Sequence, residues 1–162
     1  MADTYIEPVM DRTYADFQRW LTLRDKGVKN MTAEELAEWK RGMKGAYNAS
    51  DLNRVGENLL HLRDMLTEAG YLGYLPAFNV RTDWTETDVP TAAEFTDYLN
   101  AVETVRAALA LPQTTPKTPA NTGSLDIQGA NDIEKILNAI IMHIFRMIAA
   151  QFHCGDLYGG EI

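Results

Sequence analysis

Cysteine is nearly absent from this chain: Cys154 stands alone among 162 residues. No intrachain disulfide can brace the fold, so packing has to hold it, as suits folding in a reducing cytosol. Cations are also in short supply. Fifteen Lys and Arg against 23 Asp and Glu give a net charge of −8 and an isoelectric point near 4.8. That balance argues against nucleic-acid binding through phosphate contacts, which need clustered cations, and against docking on anionic membranes. The most apolar stretch, 139–152, is interrupted by His143, Arg146 and Gln151, which makes it too short and too polar to span a bilayer. The first seven residues are acidic and lack the basic and apolar regions of a secretory signal, so no export is expected.

Motifs with chemistry are missing too. The helical di-metal bundles need Glu-x-x-His, and the chain contains none. Gly155, Gly159 and Gly160 fall in the C-terminal tail without the strand and helix order of a phosphate loop. The acidic groups Glu34, Glu35, Glu38 and those between Asp83 and Asp88 lack the spacing of a calcium loop. They read as a solvated helix face and a polar turn.

What the chain does have is a recurring cassette of Asp, apolar, polar, basic, apolar. It occurs as Asp16-Phe17-Gln18-Arg19-Trp20, Asp51-Leu52-Asn53-Arg54-Val55 and Asp132-Ile133-Glu134-Lys135-Ile136. Asp in a first helical turn faces the positive end of the macrodipole, and a cation three residues on can pair with it. The apolar positions three apart begin a core-facing stripe. The cassette therefore reads as an instruction to start a helix, with no chemistry of its own.

Five helices follow from caps and periodicity, giving an all-α, single-domain bundle over residues 1–162. Residues 1–10 form an extended lead-in around Pro8. The first helix spans about Thr13 to Lys26 and stops at Gly27. A capping box of Thr32 and Glu35 opens the second, which ends at Gly45. Ser50 caps the third, where Leu52, Val55, Leu59, Leu62 and Leu66 form one stripe and Gly70 closes it. Gly56 inside that stripe suggests a close crossing by another helix. Residues 71–90 read as an ordered aromatic loop, and Thr91 with Glu94 starts a fourth helix reaching about Ala110. The Pro- and Thr-rich stretch 112–127 is an extended connection, after which Asn131 caps a fifth helix to about Phe152, leaving 155–162 as a tail. In the fifth helix, apolar residues from Ile133 to Ile148 cover more than one stripe. Such a helix is either the bundle's centre or buried against a second subunit.

The candidate sites are few. Glu57 and His61 are four apart on the third helix, which suits two metal ligands but equally a solvated face. His153, Cys154 and Asp156 crowd together, yet adjacent helical residues diverge by about 100°, and no base or oxyanion motif accompanies the thiol. No catalytic, cofactor-binding or metal residue is therefore assigned, and no cofactor is expected. Tyr71, Tyr74, Phe78 and Trp84 are either anchors of a partner surface or a lid over the core. With Ile140 and Ile144 of the last helix, they form the candidate set for partner contact.

Residues 45–55, Gly45-Ala46-Tyr47-Asn48-Ala49-Ser50-Asp51-Leu52-Asn53-Arg54-Val55, resemble a segment of uncharacterised proteins encoded in the tail and fibre regions of phages and prophages of Firmicutes. Counterparts of Thr82-Asp83-Trp84-Thr85, of Ala130 to Leu137 and of Gly155 to Glu161 occur there in the same order. His153-Cys154 departs from those proteins, which tend to carry aromatic residues before the glycine. The resemblance implies a non-enzymatic virion structural or tail-associated accessory protein acting through protein–protein contacts. Its partners would be itself, as a homo-oligomer, or a tail component, and its location the virion or the host cytoplasm. The alternatives are a small hydrolase or metal-dependent enzyme built on His153, Cys154 and Asp156, and a prophage-encoded assembly chaperone or regulatory module.

Overall fold

The structure, a computed structural model, describes residues 5–70, 75–121 and 125–158, with side chains described as far as Ala150. Its order is α1 (Tyr14–Lys26), a 3-10 turn (Val28–Asn30), α2 (Ala33–Lys40), α3 (Ala49–Glu68), α4 (Ala92–Ala107) and α5 (Ile127–Tyr158). No strand occurs among the described residues. The chain is an all-α bundle, as its periodicity requires.

Helix starts are written in reciprocal caps. Thr13 with Asp16, Thr32 with Glu35 and Thr91 with Glu94 each satisfy two of the backbone amides that a helix start leaves orphaned. The third helix begins two residues before the expected Ser50: Asn48 accepts from the amides of Ser50 and Asp51, and Asp51 returns a bond to Asn48. Asn131 is a larger correction. It caps nothing, because α5 already starts at Ile127, where the Asp126 carboxylate accepts from the Gly129 amide at 2.6 Å. The third cassette therefore lies inside a helix rather than at its start. At the other end α5 continues to Tyr158, so residues 155–158 are helix rather than tail.

Three of these caps have a pH signature. Asp16 sits below the usual carboxylate range through the Thr13 hydroxyl, Glu35 through Lys26 and the Thr32 amide, and Glu94 through the amide and hydroxyl of Thr91. A depressed carboxyl contributes stability that is present above its unfolded pKa and lost as pH falls through the folded one. Helicity followed by circular dichroism should hold from neutral pH to about 5 and weaken below about 4, where unperturbed carboxylates protonate.

The core lies where α3, α4 and α5 pack against one another. From α3 come Leu52, Val55, Leu59, Leu62 and Leu66, the stripe expected from spacing; Tyr98, Leu99, Val102 and Val105 come from α4. Ile133, Ile136, Leu137, Ile140, Ile141 and Ile144 of α5 complete it. Part of the breadth of the last helix's apolar surface has a simple cause: it packs against two neighbours, α3 and α4. Gly56 also proves to be a close approach, though not to a helix. A Cβ there would come within 2.9 Å of the Arg81 carbonyl and of the Thr82 methyl, so an extended part of the aromatic loop lies directly on α3.

α1 and α2 stand outside this core as a small lobe. Arg19 pairs with Glu38 at 2.8 Å and Lys26 with Glu35 at 2.5 Å, while Leu23 and Met43 are buried apart from the main cluster.

Candidate functional site

Residues 5–12 precede α1 as an extended arm lying across α3 and α5. Its backbone cannot be left unpaired against a helical surface, and no strand is there to pair it. Side-chain amides do so instead. Asn58 of α3 accepts from the Ile6 amide and donates to the Ile6 carbonyl, both at 2.8 Å. Asn131 of α5 treats Arg12 in the same way, at 3.0 and 2.9 Å. Between them the Glu134 carboxylate accepts from the Val9 amide at 3.0 Å. A third asparagine, Asn53, clamps the Trp84 backbone identically, at 2.8 Å in both directions. Each carboxamide presents the donor and acceptor that a neighbouring β-strand would present.

At the end of the arm, Arg12 enters a buried ionic cluster. Its guanidinium reaches Asp51 at 2.7 Å and Glu134 at 3.1 Å, and Arg54 bonds the same two carboxylates. Two cations and two anions thus cancel in a space where Glu134 is fully covered and Arg12 and Asp51 nearly so. Burial works against the Arg54 charge, but its bonds to Glu134 and Asp51 outweigh that and hold its pKa above the usual value. The Arg12 guanidinium also lies 5.4 Å from the centre of the Tyr47 ring. The Tyr47 hydroxyl meets that of Tyr98, and burial pushes the pKa of both phenols up, keeping them protonated. Tyr5 is likewise raised, first by burial and then by the Glu134 charge, and its hydroxyl is buried without a hydrogen-bond partner.

Chemically, this arrangement binds a chain segment. Every carboxylate in it is occupied by guanidinium and amide donors. A surface hollow of about 520 Å³ lies elsewhere, between α4 and residues 117–121.

The partner-contact set separates. Trp84, Ile140 and Ile144 belong to the core, a correction to their candidacy as surface anchors, and Phe78 packs against that core half-buried. Where they are described, the loop aromatics form a lid. Tyr71 and Tyr74 lie outside the described residues, as do the side chains of His153, Cys154 and Asp156. Glu57 and His61 are both half-buried, with the His61 ring 6.3 Å from that of Tyr5. Among the described residues no three His, Cys, Asp or Glu side chains converge as a metal site would require. The apolar side chains that do face solvent include Met142 and Phe145 of α5, 45% and 52% exposed.

Sequence reasoning expected an extended lead-in but missed the clamps that hold it to the bundle. The second and third cassettes nevertheless held a signal: their polar middle positions, Asn53 and Glu134, both bind the backbone of a distant segment.

Fold and site together define a helical bundle that holds extended chain against its surface. No family model matches this chain, and neither a curated protein nor a solved structure matches it.

Proposed function

We propose that this chain is a non-enzymatic structural or tail-associated accessory protein of a phage or prophage particle, working through protein–protein contacts and first of all with further copies of itself. The observation carrying this reading is the exposed apolar face of α5. Met142, Phe145 and Ala149 are all exposed at helical spacing, so they share one side of the helix. That helix has 32 residues against 20 in α3, about 48 Å against about 30 Å at 1.5 Å per residue. Exposed apolar stripes on a long central helix are the usual material of a subunit contact. The resemblance of residues 45–55 and 130–137 to phage-encoded proteins supports the setting.

Two measurements test it. Light scattering at micromolar concentration should give at least twice the chain mass of 18.2 kDa, and Phe145→Glu should return the protein to monomer without loss of helicity. A monomer throughout would remove self-association. Mass spectrometry of purified particles from an induced prophage should find the protein; its absence there would sink the structural reading in favour of an assembly chaperone.

A further inference from the structure

The arm is held by its peptide groups and by the side chain of Arg12, and the piece to which it belongs is internally tied. Lys44, just beyond α2, pairs with Asp11 at 2.6 Å. Gly45 lies so close to α1 that a Cβ on it would meet the Asp16 carbonyl oxygen at 2.1 Å. Residues 5–45 therefore behave as one unit: arm, α1, α2 and the return to Gly45. They join the bundle covalently only through Ala46 and Tyr47, just ahead of the Asn48 cap of α3. Against the bundle, this unit is fixed chiefly by Asn58, Asn131, Glu134 and Asp51. None of those contacts depends on the arm and the bundle belonging to the same chain.

We propose that residues 5–45 exchange between two copies, so that Arg12 of one chain completes the Asp51–Arg54–Glu134 cluster of the other. The groove is specific for such an occupant. It accepts extended backbone at positions three apart, Ile6, Val9 and Arg12, and ends in two carboxylates whose charge exceeds that of Arg54 alone by one. An extended segment with Arg at its last clamped position is what balances it, and residues 5–12 of a second copy are such a segment. Exchange preserves every clamp and ion pair and alters only the short connection at 46–47. Its equilibrium is then set by protein concentration, as for any exchange of identical elements. This contact is separate from the α5 face.

The test uses the full chain with Ile6 replaced by the photo-cross-linker p-benzoylphenylalanine. Ile6 is 37% exposed, and its backbone rather than its side chain makes the clamp. Ordinary and deuterated protein are mixed, incubated over a range of concentrations, irradiated and digested. Peptides joining residue 6 to the α3 segment around Asn58 are then sorted by isotope. The expected result is mixed-isotope peptides, absent at the lowest concentration and rising towards the random-mixing share. The same probe at Glu7, also exposed, guards against a local defect at position 6. Same-isotope peptides alone at every concentration would overturn the proposal. A dimer by light scattering with only same-isotope arm links would also overturn it, leaving association to α5.

Discussion

Arg12→Met should lower stability by about 3–5 kcal/mol, the usual cost of breaking a buried ion pair from one side. The reason is the residue left behind. Glu134 is fully covered and Asp51 nearly so, and without Arg12 their two charges would face Arg54 alone. Methionine keeps most of the side-chain volume, and the main chain at residue 12 keeps its bonds to Asn131, so the loss is electrostatic rather than a cavity. At roughly 2–4 °C per kcal/mol for a chain of this size, the melting temperature should fall by about 6–20 °C. An exposed pair such as Arg24 with Asp25 supplies the control, because Arg24→Met should cost no more than about 1 kcal/mol. Equal, small effects of the two variants in thermal melts would mean that the cluster is wetter than its burial implies. Replacing all four charges by apolar residues is not expected to restore stability. Glu134 also accepts from the Val9 amide and Asp51 from the Asn48 amide, and both donors would be orphaned.

The second large effect lies on α5. Ile140→Ala should cost about 2–5 kcal/mol, since a fully buried side chain at the meeting of three helices leaves a cavity that its neighbours cannot close. Phe145→Ala, five residues further on, removes a larger group. It should nonetheless change the stability of the isolated chain by less than about 0.5 kcal/mol, because that ring is half exposed and surface positions contribute little. The contrast, read by denaturant unfolding at low protein concentration, separates what the helix contributes to its own core from what it leaves for a neighbour. A large loss at Phe145 would mean that its ring is covered within one chain.

Local features were legible from residues alone. Thr32 with Glu35 and Thr91 with Glu94 are caps because the two partners lie three residues apart, and the α3 leucines are core because their spacing puts them on one face. Asn131 misled for an instructive reason. Gly-Ala-Asn-Asp ahead of an apolar run has the composition of a helix start, but Asp126 had already capped α5. That left the Asn131 carboxamide inside the helix and aimed at a backbone 119 residues away. Nothing local marks such a partner. The same holds for Asn58 with Ile6 and for Glu134 with Val9, at separations of 52 and 125 residues. The breadth of α5 was visible, but which of its residues α3 and α4 cover could be read only from the packed helices.

The carboxamide clamps also bear on how such a chain can diverge. Asn58, Asn131 and Asn53 recognise what every residue except proline offers, a peptide N–H beside a C=O. Exposed positions of the segments they hold are consequently free to drift in side chain while keeping their path, whereas Arg12 and the core residue Trp84 are not. Mutational tolerance should therefore be high at Ile6 and Glu7 and low at three asparagines that look, in a one-dimensional string, like ordinary polar surface. A homologue search weighted towards apolar pattern would give least weight to the positions that specify how this molecule closes.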